Sequence, residues 1–336
     1  MPKQRILDTS PVPTALRGPS AEASRARAAW SAAARDRAPL LILAEPGFDA
    51  AAIARTVHDA ADATRPFVHV DASQADGAEI EMELFGTRHR PAVRTAEVLG
   101  AGGALVRANL GTVFIEAIGG LPFPVQRRLA RLLRDGEARF GGRATLPLQA
   151  RIIASTLPGV QDAVDGEVLA DLHRRLAAQV LTVPPLRTRP ADFGSLVPAL
   201  TQDIAVQLSR GVPSFTQSAL NVLASLPWRR NMVELHALLE RLLRAVPGDA
   251  VQQEDVLAQL SFDGAFARRA PAGSLREARQ RFEREYIAAV LEQHDWRMSD
   301  AARTLGMERA NLYRKTRQLG ISRAGTGHAA ANGRSL

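Results

Sequence analysis

The chain of 336 residues contains no cysteine. Disulfides and thiolate metal sites are therefore excluded. Lysine is almost missing as well: it stands only at Lys3 and Lys315, so arginine carries nearly all the positive charge. No apolar run reaches the roughly 18 residues that a membrane-spanning helix needs. The opening Met1-Pro-Lys-Gln-Arg-Ile6 lacks the apolar core of a secretion signal. These absences predict a cytoplasmic protein without membrane contact. The 7 histidines are scattered without ligand spacing, so no metal site is expected.

What is present is basic charge, unevenly placed. The formal net charge is +8. Residues 274–323 hold 11 basic and 7 acidic side chains, a net +4, whereas the far longer stretch 1–273 carries only +3. Basicity gathered at one end is the electrostatic footprint of nucleic-acid contact.

That end also has the pattern of two short helices around a tight turn. In Arg297-Met-Ser-Asp-Ala-Ala-Arg-Thr-Leu-Gly306, Ser299 is the expected N-cap and Asp300 suits the positive end of the helix dipole. Ala301, Ala302 and Leu305 line one face, and Gly306 can close the helix in the left-handed conformation. The second helix is expected from Arg309, with Leu312 and Leu319 inward. Arg309, Asn311, Arg314, Lys315 and Arg317 then face outward with no acid among them. A basic second helix after a glycine turn describes a helix-turn-helix. The plainer alternative is a helical hairpin with a solvated basic face.

Further upstream, short apolar runs at 40–43, 67–70, 112–115, 151–154 and 180–183 alternate with helical patterns such as 51–61 and 125–133. Largely apolar strands alternating with helices predict a buried parallel sheet. From about Pro190 the pattern becomes wholly helical, at 195–209, 216–226, 231–246 and 253–260, with Pro227-Trp228 as a break. Leu275, Ala278, Phe282, Tyr286 and Ala289 mark one face of a further helix, either a dimer seam or the core of a small domain.

The C-terminal segment resembles the Fis-type helix-turn-helix that ends the NtrC family of bacterial transcription activators. Ala301-Ala302, Leu305-Gly306, Leu312-Tyr-Arg-Lys315, Leu319-Gly-Ile321 and Phe282-Glu-Arg-Glu-Tyr-Ile287 carry the likeness. Glu308 departs from it, where the family usually has Ser or Thr, and so does Arg297, where it often has Asn. The likeness extends from about Ala21 to Ile321 through Glu83-Leu-Phe-Gly86, Gly111-Thr-Val-Phe-Ile115, Arg151-Ile-Ile-Ala154, Pro184-Pro-Leu-Arg187 and Pro227-Trp228.

The resemblance implies an α/β fold: an AAA+-like parallel sheet sandwiched by helices, a helical lid, and a C-terminal all-α Fis-type helix-turn-helix. The expected divisions are a flexible segment 1–19, the α/β domain 20–189, the lid 190–262, a linker 263–273, the DNA-binding domain 274–323 and a flexible tail 324–336. It also assigns Arg309, Ala310, Asn311 and Arg314 to the groove side of the recognition helix, with Tyr313 beside them and Lys315 and Arg317 toward phosphates.

Aligned on the family's phosphate-binding loop, Ala44-Glu-Pro-Gly-Phe-Asp-Ala-Ala51 keeps Gly47 but has Asp49 for the last glycine and Ala50 for the lysine. The resemblance puts the metal-binding aspartate at Glu116 and the water-activating glutamate at Ala117. The γ-phosphate sensor falls on Leu157, the arginine fingers on Leu169 and Arg175, and the lid's sensor arginine on Val233. The loop that contacts the sigma-54 factor becomes Thr87-Arg-His-Arg-Pro-Ala-Val-Arg-Thr95, either a solvated loop or a basic patch for phosphates or an acidic partner.

The expectation is therefore a sequence-specific DNA-binding regulator on a degenerate AAA+ scaffold. It is expected not to be an enzyme, to need no cofactor and not to use sigma-54. Its expected partners are double-stranded DNA, further copies of itself as a dimer or larger assembly, and RNA polymerase or another AAA+ regulator. Two alternatives stand beside it: an ATP-driven sigma-54 activator with unorthodox motifs, and an interaction module that co-assembles with an active relative and inhibits it.

Overall fold

The structure is a computed structural model. It describes residues 12–73, 76–88, 96–140, 145–159 and 168–263, together with 284, 287–288, 290–291, 294, 296–305 and 307–321. The chain divides into two compact units, Met1–Gly264 and Ala265–Leu336.

The first unit is built on a five-stranded parallel sheet. In chain order its first half comprises α1 (Ala21–Arg35), β1 (Leu40–Leu43), α2 (Ala50–Asp62), β2 (Phe67–Asp71), α3 (Gly77–Phe85), β3 (Val98–Leu99), α4 (Ala104–Arg107) and β4 (Thr112–Glu116). It continues with α5 (Phe123–Asp135), β5 (Glu137–Phe140), β6 (Thr145–Pro147), β7 (Arg151–Thr156), α6 (Ala170–Leu176) and β8 (Gln179–Thr182). The main sheet has the order β2-β4-β7-β1-β8, and β3, β5 and β6 form a small second sheet.

Strand alternation explains the layering. In β1, Leu40 and Ile42 pack with Ala33, Ile53, Val57, Phe114 and Ile153 on the α1–α2 side. Leu41 points the other way, into a core with Val113, Ile115, Ile152, Leu129 and Leu172 beneath α3 to α6. A side-chain period of two buries both sheet faces, so these strands read as continuous apolar runs. All five runs expected from the sequence form strands, extended at their carboxyl ends in β2, β4 and β7 and shifted by one residue in β8, which starts at Gln179 and leaves out Val183.

The lid follows with α7 (Phe193–Gln207), β9 (Ser214–Phe215), α8 (Gln217–Ala224), α9 (Asn231–Ala245), β10 (Ala250–Val251) and α10 (Gln253–Asp263). Its own core gathers Phe193, Leu196, Leu223, Trp228, Leu235 and Leu239. Trp228 is buried, stacks on Phe193 at 5.8 Å between ring centroids and donates its indole N–H to Leu223 O.

Part of the stretch 1–19, expected to be flexible, is instead packed. Thr14–Leu16 form a 3-10 turn, and Leu16 is fully buried. Arg27 donates to Leu16 O and Gly18 O. Ser20 then N-caps α1 and gives both its N–H and its hydroxyl to the buried Asp192 of the lid, at 2.8 and 2.7 Å. Proline and glycine spacing suggested a loose lead-in, whereas the segment is held by long-range bonds that local spacing does not reveal.

In the second unit, the described residues 284, 287–288 and 290–291 are helical and are followed by α11 (Met298–Thr304) and α12 (Arg309–Gln318). Their core joins Ile287, Val290 and Leu291 to Ala301, Ala302 and Leu312. Asp263, expected to open the linker, instead ends α10; the rest of the linker 263–273, the tail 324–336 and the stripe residues Leu275, Ala278, Phe282, Tyr286 and Ala289 lie outside the described residues.

Candidate functional site

The helix pair presents one apolar and one basic face. Ala301, Ala302 and Leu312 are buried, with Leu305, Leu319 and Ile321 packed against them. Arg309, Ala310, Asn311, Tyr313, Arg314 and Arg317 are exposed, while Lys315 is half-buried. The inward and outward positions fall where the sequence spacing placed them, except that Lys315 is partly covered. Arg314 donates to the Asn311 side-chain oxygen, which joins two candidate base-reading groups on one helix face.

The helix ends differ from expectation at one point. α11 starts at Met298 behind Arg297, not behind Ser299, and Arg297 makes no side-chain cap bond. Trp296 takes a positive φ of 64° and bends the chain, so the extended cap conformation falls on Arg297. Its carbonyl accepts from both Asp300 N and Ala301 N, at 3.1 Å each. Ser299 is thereby drawn into the first turn. Gly306, the expected stop, lies outside the described residues. α12 is closed by Gly320 at φ 62°, with Ile321 N donating to Thr316 O, a conformation in which a side chain at 320 would be strained.

Glu308 caps α12 in an extended conformation without a side-chain bond. Its carboxylate sits on a longer stem than that of a capping Asp or Ser. Glu308→Asp should therefore stabilise the C-terminal unit by about 0.5–1 kcal/mol. Calorimetric unfolding of the two proteins measures this, and an unchanged transition would show that the cap is already satisfied.

The second site is a cleft of about 230 Å³ at the carboxyl edge of the main sheet, lined by the segment 44–50 after β1, 116–120 after β4 and 155–157 after β7. Ligands of open α/β sheets lie at such edges. The structure brings Ala50, Glu116, Ala117 and Leu157 to this lining, with Gly47 and Asp49 in the same loop. Leu169 N-caps α6 and packs its side chain against the core, and Arg175 pairs with Asp171 at 3.3 Å.

The loop between β1 and α2 is tied to the lid. Arg187 forms two 2.6 Å bonds to the Glu45 carboxylate. These bonds, ahead of any other influence, hold Glu45 below the ordinary carboxylate range, against the opposing pull of desolvation. The buried Asn231 donates to Glu45 and to Pro46 O, at 3.3 and 3.1 Å, and accepts from Leu186 N at 3.1 Å. Val233 N donates to Gly47 O. Gly47 has φ 91°, and a Cβ there would lie 1.9 Å from Arg230 O, so no other residue fits.

Sequence reasoning missed Glu45, Arg187 and Asn231 as a unit. The available signals were the Pro184-Pro-Leu-Arg187 motif and an Asn, a residue that tolerates the positive φ of 43° found at 231.

Three family models match in succession: the Sigma-54 interaction domain over residues 16–182, the AAA+ ATPase lid domain over 187–273 and the Bacterial regulatory protein, Fis family, over 278–319. The chain belongs to the NtrC family of sigma-54 activator-like regulators.

Among relatives in this family, the Regulatory protein AtoC of Escherichia coli (strain K12) is 31% identical over 87% of this chain and 64% of its own length. The Nitrogen assimilation regulatory protein NtrX of Azorhizobium caulinodans is 32% identical over 84% of this chain and 64% of its own. The chain thus spans less than two thirds of these NtrC-family relatives. NtrX from Brucella abortus, solved in complex with ADP, superposes with a TM-score of 0.62 at 29% identity, covering 92% of this chain and 71% of that one. Its complex with ATP gives 0.59 at 29% identity, covering 94% and 71%.

The matches correct one expectation. A chain that is not an enzyme was expected from the altered loop residues, but its two large modules match a family of AAA+ ATPases, and its structural neighbours were solved with ADP and ATP. Membership in that class is carried by the whole scaffold, which the altered positions leave intact.

Whether this chain's own side chains suit a nucleotide's polyphosphate is a separate question of fit. Among the described residues, none that lines the cleft is basic. Neither lysine of the chain lies near residue 50 in sequence. Asp49 turns its carboxylate onto the start of α2, accepting from Ala52 N at 2.7 Å. Glu116 bonds His69 at 2.9 Å, and Ala117 offers only its backbone, whose N–H donates to Ser155 Oγ. These groups do not fit a polyphosphate. Among the described residues no helix is long and apolar enough to cross a membrane.

Proposed function

We propose that this NtrC-family chain is a sequence-specific DNA-binding transcription regulator that acts without the sigma-54 contact of its relatives. The observation that carries the DNA half is the two-sided α12: Leu312 buried below, Arg309, Asn311, Arg314 and Arg317 exposed above. Outward arginines and an asparagine on a helix after a tight turn are the groups that read base edges and hold phosphates. Arg309, Ala310, Asn311 and Arg314 take the base-edge role, Tyr313 lies beside them for apolar contact, and Lys315 and Arg317 take phosphates. Two-fold pairing of such units on a paired half-site supplies the affinity that a single short helix lacks.

The sigma-54 half rests on sequence. Residues 87–95 replace a glycine- and aromatic-bearing contact loop by one with Arg88, Arg90 and Arg94. Arg88 is exposed, while Arg90 and Arg94 lie outside the described residues. A hydrophobic contact surface has become a cationic one, which no longer complements the same partner.

Reconstituted transcription tests this reading. With sigma-54 holoenzyme, ATP and a promoter carrying the mapped binding site, no open complex should form. With the housekeeping holoenzyme, the chain should shift transcript level from promoters it occupies. Open-complex formation on the sigma-54 template would reject the proposal and return the chain to the ordinary activators of its family.

A further inference from the structure

We propose that the N-terminal unit carries its own substitute for a bound phosphate: Asp49 fills the anion seat at the start of α2, and Glu45, Arg187 and Asn231 fasten that filled loop to the lid without any ligand. The inference stands on the cleft geometry and is independent of the DNA-binding reading.

The first turn of a helix leaves N–H groups unpaired, and anions settle there. At the carboxyl edge of this sheet the seat is already taken. Asp49 Oδ1 accepts from Ala52 N at 2.7 Å, so the chain's own carboxylate caps the helix whose first residue, Ala50, lines the cleft. A phosphate seeking the Ala52 N–H must displace that carboxylate, and among the described residues none that lines the cleft is basic.

The second observation is independent of the cap. Three successive loop residues are each bonded to the lid. Glu45 receives Arg187 twice, Pro46 O receives Asn231, and Gly47 O receives Val233 N. Asn231 is buried, and its side-chain amide already donates to Glu45 and to Pro46 O, so the bridge holds no spare donor for a phosphate. Bonding to Arg187 also keeps Glu45 ionised below the usual carboxylate range. The linkage sign follows: its contribution is fully present above the ordinary carboxylate pKa and is lost as pH falls through the lowered value.

Hydrogen exchange on the full chain tests both halves. The amides of Ala52, Leu186 and Val233 report the seat and the latch. In the natural chain they should exchange slowly without ligand, and millimolar Mg-ATP or inorganic pyrophosphate should leave their rates unchanged. Arg187→Ala, at a side chain 45% exposed, should speed Leu186 and Val233 by about tenfold without unfolding the sheet. Glu45→Gln is the milder second variant and should act in the same direction. Asp49→Ala should speed Ala52, and pyrophosphate should then slow it again by occupying the vacated seat.

Free exchange of these amides in the natural chain, followed by strong protection on adding ATP, would overturn the proposal. Unchanged Leu186 and Val233 in both latch variants would overturn the latch. Failure of pyrophosphate to protect Ala52 in Asp49→Ala would overturn the seat.

Discussion

Replacing Arg128 with Met should cost about 3–5 kcal/mol of unfolding free energy, because the change strands a buried carboxylate. The Arg128 side chain is only 3% exposed and its partner Glu97 only 5%. It bonds Glu97 at 2.9 Å and Glu81 at 3.1 Å, and also holds Thr87 O, Thr87 Oγ1 and Val98 O. Its guanidinium also lies 4.0 Å from the centre of the Phe85 ring. A Met fills similar volume but supplies none of these donors, so Glu97 would remain buried against Arg131 alone. Urea unfolding followed by circular dichroism measures the loss. Adding Glu97→Gln to the variant should recover part of it, since an amide costs less to bury than a charge. A loss under about 1 kcal/mol would mean that the pair is solvated in solution and carries little.

On the DNA side, Arg309→Ala and Asn311→Ala should each weaken operator binding by about 1–3 kcal/mol and relax the choice of base at one position. Both side chains are exposed on α12, so the loss should come without unfolding. Lys315→Ala should act differently: it should weaken all sequences alike and lower the salt slope by about one unit. Gel-shift titration across salt separates the two behaviours. Equal losses on operator and random DNA for Arg309→Ala would move that residue from base reading to phosphate contact. Arg314 and Asn311 are bonded to each other in the free chain, so their single substitutions should not add.

The sequence revealed the elements governed by short periods. The strands at 40–43 and 112–116 were legible because two-sided burial makes them continuously apolar, and α12 because its apolar and basic positions keep helical spacing. The N-cap at Arg297 was not legible, because it depends on the positive φ of Trp296, which no propensity dictates. The packing of Leu16 and the bonds from Ser20 to Asp192 were equally hidden, since they join residues 172 positions apart. At the cleft, residue types exposed what stands at positions 49, 50 and 117. They could not show that Asp49 folds back onto Ala52 N, or that Glu45 belongs to the lid's hydrogen bonds. Nor could those few positions outweigh the scaffold, whose modules match the sigma-54 interaction domain and the AAA+ ATPase lid.

Arg128 also fixes where the stretch 88–97 leaves and rejoins the domain. Thr87 and Val98 are pinned to it and to each other, with Thr87 Oγ1 donating to Val98 O at 2.8 Å. The two ends of the intervening stretch therefore meet at a fixed socket in the body of the domain. Within that stretch Glu97 belongs to the socket, since its buried carboxylate holds Arg128 and Arg131 and its carbonyl accepts from Arg139 N. The residues free of this socket are therefore those between Thr87 and Glu97, where side chains can change without touching the buried pair.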